Sequence, residues 1–495
     1  MDLPPSVDRI AQLLTTQGKQ SYIVGGFVRD WLLGRKTSDI DIAVSGDAIN
    51  IACEVAKDIG GRFVLLDDAN GIARVVLGEG EQHWHLDFAS FSGDINSDLA
   101  RRDFTVNAMA VEFSRPDIAT SSAKQSQTKL VDPFDGEEDL KSKVVRSVSE
   151  QIFKDDAARL LRAVRLATEL DFTIEPGTES LIRRYAQSIT AVPGERIREE
   201  LLRLLALPRA IQHLRYLDEL GLLLALIPEL AESKGVEQPT VHFWDVFEHS
   251  LQTVATIEFL TRESDWEYGS KKILATAPWP AGVDAYLSQE VSSGSHRRVL
   301  LKLAGLLHDI AKPMTKFLDD TGRARFLGHG KQGAAMAVSI LERLRFSNKE
   351  INLVESLVYH HLRPAQMANG ELPTQRAIYR YFRDTSDAGV DIIVLALADY
   401  LATHGPLLDM VEWRKHCQLM NYVLTEHDKQ QAKVSLTRLI DGHDLMNIFG
   451  LTPGPFIGEL LGRVHEAQAS GELVIREEAL ALIQRELDKR AIKQR

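Results

Sequence analysis

The sequence predicts an α/β head over residues 1–150 followed by an all-α body that runs to the C-terminus. Three observations predict it. Period-two apolar stretches crowd into the first 150 residues, the three-and-four spacing of helices takes over after them, and 495 residues are too many for one compact core.

In chain order, "YIVGG", "DIDIAV", "RFVLLD", "IARVVL" and "HLDFASF" read as short strands, and "NIACEVAKDIG" as a helix closed by glycine. After "NAMAVEF", the polar stretch "SRPDIATSSAKQSQTK" is expected to be a mobile loop, and "LVDPFDGEEDLKSK" brings the chain back into order. A boundary falls near "ESKGVEQPT", and the segment 264–296 has the loop character of an insertion. The expected division is a head (1–150), a first helical domain (151–235), a second (236–425, with the insertion) and a helical tail (426–495).

Hydrophobic content of 44% and charged content of 26% are those of a globular protein. No apolar run reaches the roughly 18–20 residues that cross a bilayer, and "MDLPPSVDRIAQLL" lacks the pattern of a signal peptide. Cys53 and Cys417 cannot build a disulfide framework or a cysteine-rich zinc site. These readings predict a cytoplasmic protein without a membrane partner, its oligomeric state left open. A net charge of −12 argues against wholesale coating by nucleic acid. Residues 140–215 nevertheless hold fourteen Lys/Arg against ten Asp/Glu, a local basic surface.

The chemistry is densest in "YIVGGFVRDWLLGRKTSDIDIAVSG" (22–46). Strand period puts Asp39 and Asp41 on one face, where like charges repel unless a cation sits between them. Mg²⁺ suits such a pair, since it takes oxygen ligands and keeps substrate phosphates in its shell. Gly25 and Gly26 let backbone approach a phosphate closely. A lone Asp-x-Asp also occurs in surface hairpins; joined to the glycine pair and to Val-Arg-Asp (Arg29, Asp30) it is far more specific. Asp87, alternating in "WHLDFAS", is a candidate third carboxylate.

The motifs "DLARRDFTVNAMA" (98–110), "DPFDGEEDLKSKVVR" (132–146), "KDDAARLLRAVRLATELDF" (154–172) and "GERIREELLRLL" (194–205) come next along the chain. With the opening stretch they resemble the class II tRNA nucleotidyltransferases, the family of CCA-adding enzymes and bacterial poly(A) polymerases. The likeness covers residues 10–230, and 439–473 is similar to a tail of the same family. It implies a polymerase-beta-like nucleotidyltransferase head in which Asp39 and Asp41 hold catalytic Mg²⁺. Gly26 and Arg29 would meet the triphosphate, while Arg102, Asp103 and Asn107 face the nucleotide.

Asp156 and Arg159, three apart in what reads as one continuous helix, would choose the base, with Arg162 one turn on. Cytosine and adenine both offer an amino donor beside a ring-nitrogen acceptor; guanine and uracil offer the opposite order. A carboxylate beside an arginine accepts the first pattern and leaves buried groups unpaired with the second.

The resemblance thus implies template-independent addition of CMP and then AMP to tRNA, with CTP and ATP as substrates. Arg183, Arg184, Arg196, Arg198 and Arg203 are candidates for the tRNA backbone. Two departures stand out. Asp155-Asp156-Ala157 replaces the family's Glu-Asp-Pro, and only "SGDINS" links "LDFASF" to "DLARRDF", a shortness that resembles CC-adding variants. The alternatives are therefore a CC-adding enzyme or a bacterial poly(A) polymerase.

His249, His308-Asp309, His329, His360-His361 and Asp399 lie on successive helices and resemble the extended ligand set of an HD phosphohydrolase domain. Imidazoles and carboxylates so distributed can converge on one or two divalent metals, whose identity the sequence leaves open. Hydrolysis at this site, on tRNA ends or 2′,3′-cyclic phosphates, is the alternative principal activity.

Overall fold

The computed structural model describes residues 6–79, 82–113, 130–239, 241–279, 282–292, 294–368, 372–434 and 439–493. The polar stretch read as a loop after "NAMAVEF" lies outside the described residues. The chain divides into two compact units, Met1–Glu200 with Tyr216–Leu226, and Leu201–Arg215 with Ile227–Arg495.

The first unit is built on a seven-stranded sheet of β1 (Ser21–Val24), β2 (Asp39–Ser45), β3 (Arg62–Asp67), β4 (Ile72–Glu79), β5 (Gln82–Phe91), β6 (Ala110–Glu112) and β7 (Leu130–Val131). The order is β3-β4-β5-β2-β1-β6-β7. Only β2 and β5 run parallel within it, and that pairing needs a crossover. Helix Ala48–Ile59 begins it, capped by the Asp47 carboxylate and stopped by Gly60 at φ +71°. Ile40 and Ile42 of β2 are buried, so the alternate residues Asp39 and Asp41 are left to the opposite face.

The unit does not end at residue 150. Val144–Val145 pairs with Thr173–Ile174, and Ser147 bridges to Phe104, which stitches the helices up to Glu200 onto the head.

The second unit is helical. Helix Val246–Leu260 is buried almost all round, as a core helix should be, and Arg297–Leu307 and Gly389–His404 pack on it. A window within Gln375–Leu407 has the length and hydropathy of a membrane span. The window is 61% buried, and Ser386 at φ +50° breaks the longer stretch Gln375–Leu407 into two helices. The segment 264–296 is no loop: it forms helices Lys271–Thr276 and Val283–Leu287 and a short strand pair, with Trp266, Ile273, Val283 and Leu287 buried. Arg297 then clamps it to the core through Asp391 at 2.7 Å and through the Tyr286 ring. The C-terminal helices carry their own core of Leu445, Leu460, Val464 and Ile483.

Candidate functional site

On the polar face of the sheet, strand register brings the expected groups into rows. Asp41 pairs with Asp87 of β5, which pairs with Arg74 of β4; Asp39 pairs with His85. Asp41 is the more deeply set carboxylate. Burial raises its pKa, Arg102 and Arg162 lower it, and Asp87 and Asp39 raise it again, with the balance above the usual value. A carboxylate so placed fits a cation. Asp39 is open to solvent, 71% exposed, and its Oδ1 lies 2.9 Å from His85 Nδ1. Asp87 differs: Arg74 donates to both of its oxygens at 2.7 Å, so the third carboxylate already has its cation in a guanidinium.

Gly25, at φ +73°, covers this row. A Cβ there would stand 2.7 Å from Arg102 Nη1 and 3.0 Å from Asp41 Oδ2, so a side chain would displace Arg102 as well as strain the backbone. Its amide donates to the Met109 carbonyl, and Gly26 opens the helix Gly26–Leu32. Arg29 is held in place rather than reaching out. It donates to both Asp30 oxygens and, at 2.7 Å, to Asn107 Oδ1. Asn107 donates in turn to Asp103, and Arg162 closes the series on Asp103 at 2.7 Å. Burial would raise the Asp103 carboxyl, but Arg162, Asn107 and the Phe104 amide outweigh it and hold it low. Arg102 pairs with Asp98.

Asp156 and Arg159 do not share a helix. The first helix stops at Asp155, Asp156 is extended at φ −152°, and the next helix starts at Arg159. The Asp156 oxygens accept two hydrogen bonds from Arg196, at 2.7 and 3.0 Å, whereas Arg159 Nε is 4.0 Å away. Arg159 instead donates to the Arg101 carbonyl at 3.1 Å. Burial raises the Asp156 carboxyl, and the hydrogen bonds and charge of Arg196 more than offset it. Arg196, read from the sequence as a backbone contact, is thus engaged with Asp156, the carboxylate expected to choose the base. Among the other backbone candidates, Arg183 pairs with Glu179 and Arg184 with Glu150, both exposed, and Arg198 and Arg203 lie on helix Gly194–Ala206.

In the second unit six of the seven expected ligands converge. His249, His308 and Asp399 form one group, and Asp309, His329 and His361 another, with ligand atoms of each within 4.8 Å of one another. His249 Nε2 is 3.1 Å from His308 Nε2, and His329 Nε2 is 3.2 Å from His361 Nε2. The two oxygens of Asp309 address different groups, Oδ2 lying 3.3 Å from His249 and Oδ1 3.3 Å from His329.

The far ring nitrogens of His308, His329 and His361 point at the carbonyls of Gly305, Phe326 and Val358 at 2.6–2.8 Å. A carbonyl only accepts, so each Nδ1 carries a proton, which leaves the inward-facing Nε2 of each ring as the atom that a metal would take. Burial raises Asp309 and Asp399, but the neighbouring charges and imidazole hydrogen bonds hold both well below the carboxylate range. His360 is not brought in; its ring stacks edge-on against Tyr359 instead. Lys312 was not singled out from the sequence, yet it contacts Asp309 Oδ2 at 2.6 Å from a buried position. Its signal was the spacing His308-Asp309-x-x-Lys312, which a helical turn folds back on itself.

Family models match residues 21–146 as a poly A polymerase head domain, 171–234 as a probable RNA and SrmB-binding site of polymerase A, and 246–404 as an HD domain. An A-adding tRNA nucleotidyltransferase of Deinococcus radiodurans is 35% identical over 469 residues, 94% of each chain. A CC-adding tRNA nucleotidyltransferase of Thermus thermophilus is 34% identical, covering 94% of this chain and 93% of its own. Among solved structures, the Thermotoga maritima CCA-adding enzyme complexed with tRNA has the same fold. Its TM-score is 0.59 at 21% identity, over 98% of this chain and 97% of that one.

Proposed function

The chain belongs to the family of tRNA nucleotidyltransferases and poly(A) polymerases, and from that premise we propose that it adds CMP and then AMP to the 3′ end of tRNA without a template. The reading places it in the cytoplasm with its tRNA, CTP and ATP. The observation that carries it is the unbroken polar series Asp30, Arg29, Asn107, Asp103, Arg162, which runs within one unit from the helix opened by Gly26 to the helix opened by Arg159.

Asp39 and Asp41 would hold Mg²⁺, which when bound activates the attacking hydroxyl and stabilises the leaving pyrophosphate. The protein's own residues do the rest. Arg29 and Arg102 offer charge where the triphosphate develops it, and their carboxylate partners fix them before substrate arrives. Asp103 and Asn107, locked together, take the sugar side. Asp156, oriented by Arg196, accepts the amino proton that cytosine and adenine share, and Arg159 donates to the ring nitrogen, so no nucleic-acid template is needed. Holding the 3′-hydroxyl against the α-phosphate supplies most of the rate.

The six-residue cluster would take two divalent metals and act as a phosphohydrolase. CC addition alone is the second reading. It is favoured by the connector after β5, only Ser92–Asp94 before helix Ile95–Leu99 begins. Incubation with tRNA lacking its 3′ end, and with CTP, ATP or both, tests the proposal by product length. Two residues added with CTP and a third only when ATP is present is the expected result; no extension at all would refute the transferase reading.

A further inference from the structure

In the second unit, helix Gln375–Thr385 sets Arg376, Arg380 and Arg383 on one stripe, spaced four and three apart. All three reach one carboxylate, Glu466 of helix Pro455–Ala469. Arg376 Nε is at 3.1 Å, Arg380 Nη2 at 2.7 Å and Arg383 Nη1 at 3.3 Å. The Glu466 side chain is only 10% exposed. Arg376 also reaches Glu472 at 2.6 Å, and Arg383 reaches Asp384 at 2.8 Å. Three carboxylates offer about twelve acceptor sites against about fifteen N–H donors on the three guanidinium groups, so donors remain in excess. The arginines line a cavity of about 650 Å³ together with Arg463, Glu459, Glu466 and Glu486.

A second cavity, of about 310 Å³, adjoins the first and shares Arg383 with it. Tyr379, Phe382 and His427 give it aromatic walls, the last two stacked at 3.5 Å and 14°. Gln430 lines it too, although its side chain is nearly wholly buried. Its Nε2 donates to the carbonyl and to Oε1 of Gln375, both at 2.8 Å, which fixes the orientation of the amide. Its Oε1 is then a buried acceptor that has no donor among the described residues. An acceptor left in that position costs stability unless something donates to it.

A clamp between two helices would need the ion pairs alone. It would need neither an aromatic-walled cavity at its end nor an orphaned acceptor inside that cavity. We propose that the two cavities together bind one unpaired nucleotide of the RNA substrate. Its phosphate meets Arg376, Arg380 and Arg383, and its base lies against Tyr379 and His427 and donates an exocyclic amino proton to Gln430 Oε1. Arginine forks suit phosphate oxygens, and aromatic faces accept any base. Glu466, with Glu472 and Asp384 beside it, is the resident anion that the three arginines share while no RNA is bound. The site rests on the tRNA reading above but is separate from the transferase chemistry.

The test measures binding of tRNA lacking its 3′ end to the full chain, with Tm recorded for each variant. Arg380→Ala and His427→Ala each weaken tRNA binding at least about fivefold, and Arg380→Ala also lowers the salt dependence by about one counterion. Both raise KM for tRNA and leave kcat at saturating tRNA unchanged. Glu466→Gln moves the other way: tRNA binds about fivefold tighter even though the helix pair loses ion pairs and Tm falls. A clamp cannot produce that reversal. Unchanged tRNA affinity in Arg380→Ala and Glu466→Gln, with only Tm lowered, would overturn the proposal. So would tight binding of free AMP, lost in Arg380→Ala while tRNA affinity stays intact, since the site would then serve a mononucleotide. Failure of the wild-type chain to extend tRNA would refute the transferase reading instead, and the binding series would still report on these cavities.

Discussion

The carboxylate face of the sheet and the imidazole cluster of the second unit are both suited to divalent metals, and they are built on opposite plans. The first is open and anionic. Asp39 stands in solvent, Asp41 sits above its usual pKa, and the adjacent charges belong to arginines that are themselves paired. The second is closed. Its candidate ligands His249, His308, Asp309 and His361 are almost wholly buried, and the Nδ1 protons of His308 and His361 are set by backbone carbonyls. An open site takes its metal together with a phosphate-bearing substrate and lets it go with product; a closed one keeps its metal between turnovers.

The sharpest way to break that contrast is Asp41→Asn. Incorporation should fall by about 10³-fold or more, since several kcal/mol of charge stabilisation go with it, while metal in the histidine cluster stays. The same variant carries a stability signature. The folded Asp41 carboxyl titrates above the ordinary 3.8, so its charge at neutral pH is destabilising and protonation relieves it. Without divalent metal, the wild-type Tm should therefore gain on that of Asp41→Asn as pH falls from neutral toward 3.8, in a thermal melt series.

Next in size is Asp309→Asn, which removes charge from the carboxylate that both triads use. Elemental analysis should find about 10- to 100-fold weaker metal retention, with nucleotide incorporation unaffected. Arg196→Ala frees Asp156 and should lower discrimination of CTP and ATP against UTP and GTP by about ten- to a hundredfold, read in single-nucleotide extensions. The smallest effect belongs to Asp87→Asn. Its partner Arg74 is about a third exposed, and loss of a pair of that kind should cost less than about fivefold in incorporation. A collapse like that of Asp41→Asn would instead make Asp87 a third metal ligand.

Legibility in the sequence was a matter of range. The strands and the glycine-closed helix 48–59 are written in local periods, and the family motifs mark the head and the HD helices. Three features were not readable because they join residues far apart or adjacent. Arg196 reaches Asp156 over forty positions, and no spacing rule links them. Arg74 meets Asp87 only through the β4–β5 register. In His360-His361 consecutive helical positions point about 100° apart, so only one can face the cluster, and the sequence does not say which. The break before Arg159 was hidden for a related reason. Ala157-Ala158 has high helix propensity, and it is the Asp156 carboxylate, accepting from the Ala158 amide at 3.1 Å, that turns the chain.

The connector Ser92–Asp94 has one more consequence. It leaves a strand bonded on both sides and enters a helix whose first turn Asp94 caps through the Ser97 amide, so both of its ends are anchored independently of its length. Once such a connector is longer than a tight turn, each further doubling costs only about 0.6 kcal/mol of closure entropy, so added length is cheap. Residues could be spliced in at this point with the sheet undisturbed, and the same number removed again. Folding stability is close to indifferent to how long this stretch is, so its length is open to selection by the reaction alone.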